Sequence, residues 1–99
     1  MDQDELAERI AQAGDERWTT LDLSGEGLKY LPPEIGNLTG LTELRLASNQ
    51  LTALPSQIDN LTNLTRLGLS DNQLTALPPE MKKLVDRGVV NLSGNPLKG

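Results

Sequence analysis

A chain of 99 residues carrying 14 acidic against 9 basic side chains, a net charge of −5, is one domain with no surplus of positive charge. That balance argues against nucleic acid and against an anionic membrane as partner, because both demand clustered lysine and arginine, and Lys82 beside Lys83 is no basic patch. With aromatic residues at 2%, no cysteine and no histidine, the core must be aliphatic. Disulfide scaffolds, thiolate zinc sites and the common catalytic bases are missing.

The first residues, MDQDELAERI, are acidic and amphipathic. They lack the basic start and apolar run of a secretory signal, and no stretch approaches the ~20 apolar residues of a membrane span. A cytoplasmic setting is the expectation. Asp2 with Glu5 three residues on reads as a variant capping box, Leu6, Ala7, Ile10 and Ala11 form one apolar stripe, and Gly14 is expected to end the helix. Residues 1–17 are thus assigned to an N-terminal capping helix, needed because the first unit of a stacked array would otherwise show its apolar side to water.

From Trp18 the chain repeats with a period of 23: units 18–40, 41–63 and 64–86, then a truncated unit 87–99. The two middle units agree at 12 of 23 positions, which no composition bias explains. Leu21, Leu44, Leu67 and Val90 form one column, and Leu23, Leu46, Leu69 and Leu92 a second two residues on. Period-two spacing predicts short strands with both columns inward. The remaining length of each unit suffices for the crossover that parallel neighbours need, expected to be right-handed.

After each strand Asn49, Asn72 and Asn95 recur at the turn, where an amide can satisfy backbone groups that the bend leaves unpaired. This column is assigned a structural role. Leu28, Leu51, Leu74 and Leu97 re-enter the core. Leu31, Leu54 and Leu77 each precede a proline, and with Ile35/Leu38, Ile58/Leu61 and Met81/Leu84 they mark one face of a short helical turn on the outer wall. Trp18 stands in the first core column and is expected to pack under the helix.

The pattern LxxLxLxxNxLxxLPxxIxxLxx over residues 18–99 resembles the leucine-rich repeats. The resemblance implies an α/β solenoid with a short parallel sheet on its concave side and, commonly, a protein held against that sheet. The opening helix running into TTLDLSGEGLKYLPPEIGNLTGL also looks like the start of bacterial leucine-rich-repeat regions fused to Ras-like GTPase domains of the Roco type. That would make the chain a recognition or regulatory arm of a larger GTPase- or kinase-linked protein.

No nucleophile with a base, metal cluster or phosphate loop is present in the sequence, so no enzyme and no cofactor is expected. Asp22 and Glu43 could form a carboxylate pair, but an open sheet would leave both hydrated. Sequons at Asn37, Asn60, Asn63 and Asn91 are read as natural fillings of the repeat rather than glycosylation sites. The candidate binding surface is the outward side of the strands, with Thr20, Glu43, Arg66 and Val89 in one column and Asp22, Arg45, Gly68 and Asn91 in the next. Thr20, Asp22, Glu43, Arg45, Arg66 and Asn91 are the candidate contacts, with Arg45 and Arg66 as anchors because arginine offers planar paired donors; a solvated salt-bridge lattice is the competing reading.

A second hypothesis is a homodimer through the C-terminal edge. Its basis is the open edge together with the uneven charge, since residues 80–99 carry four bases against two acids, whereas residues 1–34 carry nine acids against three bases. Arg87 in place of the first-column leucine and Pro96, which removes a donor, instead make further stacking less favourable.

Overall fold

The computed structural model describes residues 1–97; Lys98 and Gly99, the end of the fourth unit, lie outside the described residues. Helix α1 (Gln3–Asp15) is followed by four short strands, β1 (Thr20–Asp22), β2 (Glu43–Arg45), β3 (Arg66–Gly68) and β4 (Val90–Asn91). They form one sheet in sequence order, every neighbour parallel. The register pairs residues 23 apart, Leu21 with Leu44, Leu44 with Leu67 and Leu67 with Val90, so the sequence period becomes the step from one coil to the next.

The chain returns along the outer wall through 3₁₀ turns η1 (Pro33–Asn37), η2 (Ser56–Asn60) and η3 (Pro79–Met81), the last running into a short helix α2 (Lys82–Asp86). Each 3₁₀ turn is entered from a proline, Pro32, Pro55 or Pro78, in extended conformation. The preset φ of proline and its missing N–H cost nothing at a turn start. Between sheet and wall lies a single aliphatic core, in which Leu21, Leu44 and Leu67 from the strands join Ile35, Ile58 and Met81 from the wall, all essentially solvent-free. Burial fades at the last unit, where Val90, Leu92 and Leu97 are only half-buried.

Helix α1 closes the first coil. The Asp2 carboxylate accepts from the Glu5 amide at 2.8 Å, and the chain's amino group donates to the Glu26 carbonyl at 3.1 Å, tying the helix start to the first unit. The helix continues through Gly14 rather than ending there. Its stop is Arg17, at φ 55°, which lets the Trp18 amide reach the Ala13 carbonyl at 2.9 Å and the Arg17 amide reach Gly14 at 3.2 Å, the paired bonds of a Schellman turn. The inward face also differs from the expected stripe, since Leu6, Ile10 and Ala13 are buried while Ala7 and Ala11 stay exposed. Trp18 is half-buried against the core beside the helix end.

Arg17 holds a left-handed conformation that glycine adopts without strain, so Arg17→Gly is expected to raise stability by about 0.5–1 kcal/mol. A melt that moves downward instead would show that the arginine side chain contributes more than its backbone costs.

Arg87, in the column that Leu41 and Leu64 fill with buried side chains, is exposed and turns its guanidinium to the preceding coil. It donates to the Thr62 carbonyl at 3.2 Å and the Leu64 carbonyl at 2.7 Å. Charge-assisted bonds to backbone thus stand where a core contact would be.

Candidate functional site

The three-residue strands alternate, with the central leucine inward and its two flanking side chains outward. The register therefore sets Thr20 across from Glu43 and Glu43 across from Arg66, and in the second row Asp22 across from Arg45, Arg45 across from Gly68 and Gly68 across from Asn91. All six candidate contacts stand on this one face. Thr20, Asp22, Arg45, Arg66 and Asn91 are exposed and Glu43 is half-buried.

Their partners differ. Glu43 pairs along its own strand with Arg45, Nε to Oε2, and not across the sheet with Arg66. The bond that Arg45 donates to Glu43, the negative charge of that carboxylate and, less, the charge of Asp22 on the neighbouring strand hold the Arg45 guanidinium above its ordinary pKa. The Arg66 guanidinium makes no hydrogen bond or ion pair among the described residues; only the backbone amide of Arg66 is engaged, donating to the Thr42 carbonyl at 3.2 Å. Arg66 lines a hollow of about 450 Å³ together with Glu43, Arg45, Gly68, Val89 and Asn91, where the absent side chain of Gly68 leaves room.

Asp22 and Asn91 also serve their own turns. The Ser24 amide donates to the Asp22 carboxylate at 3.0 Å and holds its pKa below the usual range, and the Ser93 amide donates to the Asn91 side-chain oxygen at 3.1 Å. Both residues therefore close their strands, and Asn91 also lines the hollow. Below the strands runs a rung that the column reading missed: the Thr42 hydroxyl donates to the Thr19 carbonyl and the Thr65 hydroxyl to Thr42, at 3.1 and 3.0 Å. Its trace in the sequence is the threonine shared by the second position of the two middle units.

Behind the sheet the asparagines join coil to coil. Asn49 Nδ2 donates to the Leu23 and Leu46 carbonyls while Oδ1 accepts from the Glu26 and Leu28 amides, all at 2.9–3.0 Å. Asn72 donates to Leu46 and Leu69 and accepts from Leu51; Asn95 donates to Leu69 and Leu92 and accepts from Leu74. Among the described residues no group of three or more His, Cys, Asp or Glu side chains comes together as metal ligands, and no helix is long and apolar enough to cross a membrane.

A parallel sheet one short strand deep per coil, backed by leucines and an asparagine ladder, defines a leucine-rich-repeat solenoid. The Leucine rich repeat family matches residues 17–81, and the chain belongs to that family. Among solved structures it is similar to the leucine-rich-repeat protein LIC12759 of Leptospira interrogans, with 28% identity and a TM-score of 0.55 over 88% of this chain and 34% of that one. It also resembles in fold the leucine-rich repeat domain of APL1B, at 22% identity and a TM-score of 0.63 over 100% of this chain and 36% of that one. The chain thus spans about a third of the length of either. No curated protein matches it. Domains of this family and fold are typically non-catalytic and commonly bind other proteins.

Proposed function

We propose that the concave face binds a protein partner, with Arg66 as its principal anchor and Arg45, Glu43, Thr20, Asp22 and Asn91 around it. The observation that carries this reading is the unequal pairing of the two arginines. Arg45 is engaged by Glu43, whereas Arg66 offers a planar pair of donors to the hollow above Gly68 and Val89. A partner segment presenting a carboxylate beside a small apolar side chain fits that hollow. The scarcity of aromatic side chains on the sheet favours modest affinity.

The test begins with peptides selected on the wild-type protein from a random displayed library. Arg66→Ala is expected to weaken them about tenfold or more, as hot-spot arginines do, and Arg45→Ala less, since it also frees Glu43 to face Arg66. An unchanged affinity in the double variant would refute the reading.

A second reading is self-association through β4, whose outer edge has no partner strand among the described residues and whose Val90, like Leu92 just after the strand, is half-buried. Sedimentation of a monomer at high concentration and low salt would reject it. A place as the recognition arm of a larger GTPase- or kinase-linked protein rests on the opening helix and first unit alone.

A further inference from the structure

Away from the sheet, α1 and η1 do not close fully against each other. Between them runs a groove of about 470 Å³. Ala7, Ala11 and Gly14 line its helical wall, one below another at i, i+4 and i+7, and Tyr30 and Pro33 line the other. Ile10 and Leu38 lie at its floor, both buried, whereas Tyr30 is 42% exposed, one of two large apolar side chains that reach solvent so far among the described residues. The exposure of Ala7 and Ala11, against the expected apolar stripe, has the same origin: that side of the helix faces an open slot.

The rim is acidic on both banks. Asp15 and Glu34 line the groove itself, and no lysine or arginine does. At about 100° per residue, Asp4, Glu8 and Asp15 fall on the next strip around α1 beyond Ala11, and all three are exposed. The groove also sits on the part of the chain where nine acids meet three bases.

The geometry points to this groove as a second docking site, for a short protein segment that places one aliphatic side chain between Ala11 and Tyr30 and carries lysine or arginine on both sides of it. Small residues on one wall admit the segment's backbone, the tyrosine ring and proline face its side chain, and the carboxylates on each bank receive the flanking cations. The electrostatic share speeds encounter and selects against acidic segments. Nothing in this arrangement involves the concave face, so the two surfaces can be occupied independently.

The experiment uses ¹⁵N-labelled protein and three hexapeptides: a central leucine-proline pair flanked by two lysines on each side, the same peptide with glutamates for lysines, and the lysine peptide with serine for leucine. The lysine-leucine peptide is expected to shift the Gly14 and Tyr30 amides in saturable fashion, with affinity falling as salt rises, while each control binds at least tenfold more weakly. Ala11→Gln, which fills the slot with a good helix former, and Glu34→Lys, which reverses one bank, are each expected to weaken binding about tenfold with an unchanged thermal melt. The proposal fails if no peptide binds, if the acidic peptide binds equally, or if folded variants bind like the parent. It fails as well if shifts gather on the concave strands, or if concentration-dependent sedimentation abolished by Ala11→Gln shows a second copy in the groove.

Discussion

Asn49→Ala is expected to destabilise the domain by about 3–5 kcal/mol, more than the same change at Asn72 or Asn95. The reason lies in what each asparagine leaves behind. Removing Asn49 strips the Leu28 amide, the Leu23 carbonyl and the Glu26 amide of the bonds described for them, the first two in buried surroundings. A buried donor or acceptor without a partner costs about 1–3 kcal/mol.

Asn72 is better insured, because the Leu46 carbonyl that it serves is also served by Asn49, and Leu69 is served by Asn95 as well. Its loss orphans chiefly the Leu51 amide. Asn95 is half-buried, so water can replace what it gives.

A domain of this size has roughly 5–15 kcal/mol in all, and each kcal/mol moves the midpoint by about 4–8 °C. Asn49→Ala is therefore expected to lower the melting midpoint by at least about 12 °C, with Asn72→Ala intermediate and Asn95→Ala smallest. Because coils touch only their neighbours, hydrogen exchange in Asn49→Ala should rise first in the first coil, whose Leu23, Glu26 and Leu28 Asn49 ties to the second coil, and in the helix α1 that covers it. Equal melts for the three variants would mean that burial, and not bond redundancy, sets the order.

Periodicity made the solenoid legible because one spacing of 23 decides several things together: which leucines face inward, which residues pair across the sheet, and how long each crossover is. What it left hidden are features in which the residue type varies while the backbone does not. The residue just before each turn position is left-handed in all four units, yet it is Gly25, Ser48, Asp71 and Gly94, so no single letter betrays it. Arg17 hides likewise, standing where glycine would announce a helix stop, while Gly14 announces one that the chain passes through.

On the concave face the alternation brings Glu43 within reach of both arginines, and the choice between Arg45 and Arg66 is a matter of side-chain rotamers that no spacing records. Arg87 reads as a defect in a leucine column. Its bonds to Thr62 and Leu64 exist only once the coils are stacked.

Gly36 is the sharpest case of a residue whose reason lies wholly in packing. It sits within η1 where the next units carry Asp59 and Lys82, so the repeat places no demand for glycine there. In the fold it is buried, and a Cβ at this position would lie 2.7 Å from the Gln57 carbonyl oxygen and 2.8 Å from the Gln57 Cβ, with Asn60 Nδ2 at 3.1 Å. Those atoms belong to η2, the next turn of the outer wall. Relief requires η1 and η2 to move apart, since Gln57 presents backbone and Cβ rather than a flexible tip. Overpacking of this kind costs about 1–3 kcal/mol, so Gly36→Ala is expected to lower the melt by several degrees and to loosen Ile35 and Ile58, which the two turns hold in the core. Gly40→Ala is the matched control: nothing lies within 4 Å of its added Cβ and its φ is not positive. Restricting the unfolded chain should make that change neutral or stabilising by up to about 1 kcal/mol. If Gly36→Ala proved as harmless as Gly40→Ala, the outer wall would be loose enough to spread, and the close approach of η1 to η2 would not be what sets the spacing of the first two coils.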